Sequence, residues 1–170
     1  MKPAVLAIVG YSGSGKTTLI EQLLPELNKA GLRVATIKHT HHQVALDTPG
    51  KDSWRHKQSG AAASMLLTPS GMQLVTDAIE PHDPEQLARR YFFAMDLVLG
   101  EGFSHAACAK IEVLRAACSP VARCTVADGL IAMVTDVAVG NPQLPLFVPD
   151  DIAGIARFVL DWQSQQGAAA

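Results

Sequence analysis

Lys16, Thr17 and Thr18 close a run that opens at Gly10 and carries Ser12, Gly13, Ser14 and Gly15 between them. Gly10, Gly15, Lys16 and Thr17 fit the spacing G-x-x-x-x-G-K-[ST] of a phosphate-binding loop. Each residue type has a physical reason. Glycines let the backbone bend so that successive amides point at phosphate oxygens. A lysine places a compact positive charge on the β- and γ-phosphates, and the threonine offers a hydroxyl to Mg²⁺. The chemistry expected of residues 10–18 is the binding of a nucleotide polyphosphate with its metal.

Mg²⁺ also wants a carboxylate, commonly at the end of a neighbouring strand. In "MDLVLGEGF", Asp96 precedes the apolar residues and Glu101 follows them. Ligands of open parallel sheets collect at the C-terminal strand ends. Glu101 is therefore expected to be the metal acid, with Gly100 and Gly102 letting the backbone approach the phosphates, and Asp96 to be a capping or surface acid. "IKHTHHQVALDTPGKDS" leaves another strand end, so a second loop with His39, His41, His42, Asp47, Gly50, Lys51 and Asp52 should overhang the same site. The histidines invite a zinc reading, but no cysteine or further histidine stands at ligand spacing, so solvated or phosphate-facing roles fit better. Asp47 could hold a metal-bound water, and Lys51 could reach an anion; an ordinary turn about Pro49-Gly50 explains both equally well. Asp136, after "MVT", could accept from the two donors on guanine's edge, or simply cap a turn.

The elements that must position these groups follow from pattern. Residues 4–9, "AVLAIV", form a continuous apolar run, as in a strand buried on both faces. Leu19, Ile20, Leu23, Leu24 and Leu27 recur at helical spacing up to Gly31. Strands are predicted at 33–38, 110–114 and 130–136, a strand then a loop over 96–102, and a short strand at 145–148. Helices are predicted within 51–60, capped by Asp52 or Ser53, and at 83–93, with Asp83 as cap and Pro84 in the first turn. A last helix from Asp150 or Asp151 should bury Ile152, Ile155, Ala156 and Val159. Two apolar runs about Thr68-Pro69-Ser70-Gly71 predict an antiparallel hairpin over 64–76. The pattern implies one α/β domain over 1–170: a three-layer sandwich of the P-loop nucleotide-binding type, its sheet mostly parallel, with the hairpin as an inserted arm.

Composition narrows the class. A chain of 170 residues can bury about 70% of its unfolded surface. Its 48% hydrophobic and 18% charged content is that of a soluble globular protein. No apolar run is long enough to span a bilayer, and the N-terminus does not read as a signal peptide. A net charge of −2 gives no reason to expect nucleic acid or an anionic membrane. Cys108, Cys118 and Cys124 lack zinc-site spacing and suit a reducing cytoplasm.

"GYSGSGKTTLIEQLLPEL", "IKHTHH" followed by "DTPGKDS", and "LGEGF" leading to "KIEVLR" occur in that order. Together they resemble the MobB family of molybdopterin-guanine dinucleotide biosynthesis adaptor proteins, over residues 4 to about 136. The resemblance implies a cytoplasmic, homodimeric GTP-binding protein with poor hydrolysis of its own. It also implies assistance to the guanylyltransferase MobA, which joins GMP to molybdopterin, and a use for the hairpin in dimer or partner contact. Carried onto this chain, it puts the phosphate site on Gly10 through Thr18, the acid on Glu101, and the second loop in the same cleft. Two positions depart from the family: Ser104 stands where a lysine often follows "EGF", and Ala109 where a proline often precedes "KIEV". If that lysine grips a pterin phosphate or a partner, direct contact with molybdopterin is weakened here while GTP binding is not. Two other functions use the same loop. A small-molecule kinase would take ATP, with Asp47 or a histidine as base, although only Arg89 and Arg90 hint at an arginine lid. A metal-trafficking GTPase would bind a transition metal at His39, His41 and His42.

Overall fold

A computed structural model describes residues 2–77, 82–119, 121–138 and 144–168. The chain divides into two compact units, one over 1–39 and 83–170, the other over 40–82.

The larger unit carries six strands: β1 Ala4–Val9, β2 Val34–Lys38, β5 Leu97–Glu101, β6 Ala109–Leu114, β7 Leu130–Thr135 and β8 Leu146–Phe147. They form one sheet in the order β2-β5-β1-β6-β7-β8, and every pairing is parallel. The apolar run at 4–9 sits at its centre because both faces must be buried there. Leu6 and Ile8 face one core, with α1 (Lys16–Lys29) contributing Leu19, Ile20, Leu23 and Leu27, and α4 (Ile152–Ala168) contributing Ile155, Ala156 and Val159. Ile152 is half-buried at the rim of that cluster rather than within it, since it opens the helix. Val5, Ala7 and Val9 face the second core with Ala88 of α3 (Pro84–Tyr91), Phe103, Cys108 and Cys124. Period-2 alternation thus sorts β1 between two covering layers. The Asp83 carboxylate caps α3 by accepting from the Glu85 amide at 2.9 Å, ahead of Pro84 in the first turn.

The smaller unit carries α2 Asp52–Gln58 and the expected hairpin, β3 Ala63–Thr68 and β4 Gly71–Thr76, paired from Ala63↔Thr76 to Thr68↔Gly71. The Thr68 hydroxyl closes the turn on the Gly71 carbonyl at 3.1 Å. The start of α2 differs from the sequence expectation. Lys51 is its N-cap and no side chain caps it; Asp52 is the first helical residue, 3.7 Å from Arg55. Gly50, at φ 85, turns the chain so that the extended Lys51 enters the helix directly. Asp52 acts there through its charge at the positive helix end.

Two charges on β6 are buried. Lys110 is 1% exposed, and its ammonium donates to the carbonyls of Ala106 at 2.5 Å, Cys108 at 3.1 Å and Asp128. All three of its donors are used. Glu112, fully buried, accepts from the backbone amides of Arg123 at 2.6 Å and Cys124 at 3.0 Å. These side chains tie the loops before and after β6 to the sheet.

Replacing a buried ion pair by apolar residues can be neutral, but Lys110 serves backbone carbonyls that no substitution removes. Lys110→Met should therefore destabilise the fold by roughly 3 kcal/mol, taking about 1 kcal/mol or more for each carbonyl left unbonded. A urea midpoint equal to wild type would contradict the clamp.

Candidate nucleotide site

The phosphate loop leaves the end of β1 and enters α1. Gly10 has φ 141, and a Cβ there would stand 2.4 Å from the Val113 carbonyl oxygen of β6, so the first glycine is required by the neighbouring strand. Gly13 and Gly15 have φ values of 76 and 95, and Gly15 is the N-cap of α1. The helix start therefore faces the loop with its unpaired amides, as anion sites require. Lys16 folds back over the loop, its ammonium donating to the carbonyls of Tyr11 at 2.7 Å and Gly10 at 3.1 Å. Burial holds this lysine below its ordinary pKa, and nearby Arg123 and Lys38 add to that, while Glu101 opposes it. Ser14 is 2% exposed, and its hydroxyl has no hydrogen-bond partner among the described residues.

Register places Glu101 beside the loop. On β5 it is level with Ile8 of β1 and with Lys38 of β2. The Thr17 hydroxyl donates to its carboxylate, 3.0 Å from each oxygen, and the Lys38 ammonium lies 3.1 Å from Oε1. A hydroxyl and a carboxylate together form a hard oxygen pair of the kind Mg²⁺ takes. Asp96 lies at the other end of β5, where it accepts from the Arg33 amide at 2.7 Å. The glycines of "LGEGF" also have a packing task. A Cβ on Gly100 would meet the Phe103 ring at 3.0 Å, and one on Gly102 would meet the His39 carbonyl oxygen at 3.2 Å. Gly100 makes room for Phe103, which is buried and packs against the His39 ring at 5.1 Å, and Gly102 for the His39 backbone.

His39 belongs to the larger unit, its amide continuing the β2 ladder onto the Glu101 carbonyl at 3.0 Å. His41, His42, Asp47, Gly50, Lys51 and Asp52 belong to the smaller unit. There the His42 amide donates to the Thr40 hydroxyl at 3.1 Å, and Asp47 accepts from the Thr48 amide at 2.7 Å. The other Asp47 oxygen is buried without a partner among the described residues. Among those residues no group of three or more His, Cys, Asp or Glu could hold a metal ion, and no helix is long and apolar enough to cross a membrane.

Asp136 follows the end of β7, on the phosphate-loop side of the sheet. Its oxygens accept from Arg115 Nε at 2.8 Å and the Ala116 amide at 2.8 Å, and these bonds lower its pKa, the amide most. A guanine edge would have to share the remaining lone pairs. Sequence reasoning missed two members of the site. Lys38, last residue of β2, ends on Glu101, and Arg123 lies over the Tyr11 ring with its guanidinium carbon 5.0 Å from the centroid. Lys38 was legible by the same strand-end rule that selected Glu101; Arg123 had no spacing signal at all.

Residues 5–136 match the family model described as molybdopterin guanine dinucleotide synthesis protein B, MobB. The molybdopterin-guanine dinucleotide biosynthesis adapter protein of Escherichia coli (strain K12) is 36% identical over 169 residues, covering 95% of this chain and 94% of that protein. The protein of the same name from Haemophilus influenzae is 44% identical over 112 residues, 65% of this chain and 63% of that one. A crystal structure of molybdopterin-guanine biosynthesis protein B superposes with a TM-score of 0.75 at 33% identity, covering 94% of this chain and 99% of that one. Bacillus subtilis MobB superposes at 0.72 with 28% identity, covering 93% and 96%. With the phosphate loop, Glu101 and the "KIEV" strand all inside the matched span, this chain belongs to the MobB family.

Proposed function

We propose that the chain is a GTP-binding adaptor of molybdopterin guanine dinucleotide synthesis, working in the cytoplasm as a homodimer beside the guanylyltransferase MobA. The observation that carries it is the Gly10–Thr18 loop on the central strand with the Thr17–Glu101 pair at its rim. The relatives named as adapter proteins support the biological role. The amides of Gly13 through Thr18 and the Lys16 ammonium hold the polyphosphate, and Thr17 and Glu101 hold Mg²⁺. The metal, when bound, neutralises charge on the β- and γ-phosphate oxygens. Asp136 reads guanine with lone pairs its internal bonds leave over. The hairpin serves dimer or partner contact; Met65, Leu67 and Met72 on it are all more than half exposed. Molybdopterin, if it binds, meets Ser104 rather than a lysine at that position.

Slow hydrolysis follows from where Arg55 and Arg115 are spent. Arg115 is paired with Asp136, and Arg55 with Asp52. A transition-state arginine is worth roughly 10³–10⁵ in rate, so with neither of these two supplying it the chain is a binder rather than an efficient GTPase. Nothing observed favours a kinase.

Titration calorimetry should show Mg·GTP binding at least about tenfold tighter than Mg·ATP, the margin a hydrogen bond to a charged group can supply. Lys16→Ala should lose GTP binding while keeping its circular dichroism spectrum; unchanged affinity would sink the phosphate-loop assignment. Thr17→Val should weaken GTP binding about tenfold with Mg²⁺ present and little in EDTA, on the same scale of hydrogen-bond energies. Equal losses in both conditions would take Thr17 out of the metal site.

A further inference from the structure

The segment between β6 and β7 runs along the phosphate loop. Cys118 Sγ lies 3.9 Å from where a Cβ on Gly13 would be, and Arg123 covers Tyr11. The placement is built from the core. Fully buried Glu112 accepts from the amides of Arg123 and of Cys124, and Cys124 is itself buried. The backbone of Arg123 is therefore fixed, while its side chain is exposed and carries no carboxylate partner among the described residues. Tyr11 also holds Lys16, whose ammonium donates to its carbonyl at 2.7 Å.

With Arg123 on its ring and Lys16 on its carbonyl, Tyr11 gathers two cations at one loop, and an anion bound there is attracted by both. A guanidinium resting on an aromatic face keeps its in-plane donors available for phosphate oxygens, which it can grip in pairs. We propose that Arg123, steered by Glu112 and seated on Tyr11, is a second cationic grip on the nucleotide's polyphosphate, alongside Lys16. This rests on the phosphate loop binding GTP, as proposed above. The grip is present already in the bound ground state, so it supplies affinity and not turnover. Glu112 is then a positioning residue: it touches no phosphate and sets where Arg123 stands.

The test is calorimetric binding of inorganic tripolyphosphate and of Mg·GTP to wild type, Arg123→Ala, Arg123→Lys and Lys16→Ala. Arg123→Ala keeps the backbone amide that Glu112 uses, so it should fold, with an unchanged thermal midpoint. It should lose about tenfold in affinity for both ligands by a common factor, the size expected for a charge-assisted hydrogen bond. Arg123→Lys should recover part of the loss, because an ammonium keeps the charge but not the fork. A change under twofold in Arg123→Ala, with wild type binding both ligands, overturns the Arg123 grip and leaves the phosphate loop standing. A loss for GTP with none for tripolyphosphate places Arg123 on the nucleoside and overturns it too. Failure of wild type to bind either ligand, or undiminished binding by Lys16→Ala, overturns the underlying nucleotide site and the grip with it.

Discussion

Parallel pairing of β1 with both β5 and β6 is the constraint on which the site depends. Parallel strands leave a sheet on the same side, so the three loops that follow them must emerge together. One becomes the phosphate loop, one brings Glu101 level with Ile8, and one brings the segment carrying Cys118 and Arg123. Packing is tight enough to choose residues. The Val113 carbonyl of β6 leaves no space for a side chain at Gly10, and Phe103 leaves very little at Gly100. Two of the glycines that look like phosphate chemistry in the sequence are thus also demanded by neighbouring backbone and ring.

The charged residues of "KIEV" extend the same logic into the core. A strand buried on both faces has no solvent for Lys110 or Glu112, and each is satisfied instead by backbone groups of adjoining loops. Such clamps fix loops without helices to brace them. Their consequence reaches the site, because the loop Glu112 holds is the one that delivers Arg123 to Tyr11.

What the sequence could disclose was local. An apolar run, a fixed glycine spacing and a helix period are properties of contiguous residues, so β1, the phosphate loop and α1 were readable, as was the hairpin from its Pro-Ser-Gly turn. Glu101 followed from a topological rule that needs only the direction of a strand. Contacts between distant segments obey no spacing. Nothing near Arg123 announces Tyr11, which is far away in the chain, and a lysine in a strand does not say that it is buried. Asp136 shows the same limit from the other side: a carboxylate at a strand end can face a ligand or its neighbouring loop, and here its bonds run to Arg115 and Ala116. At α2 the cap expected at Asp52 or Ser53 gave way to one at Lys51, which the backbone turn at Gly50 leads directly into the helix.

The central claim is that GTP held on the phosphate loop lets this chain assist a guanylyltransferase. Its most direct measurement is the rate of molybdopterin guanine dinucleotide formation by purified guanylyltransferase at limiting GTP, with the chain added as wild type or as Lys16→Ala. Stimulation by wild type and none by Lys16→Ala is the predicted result. Equal stimulation by both, or none by wild type, would contradict it.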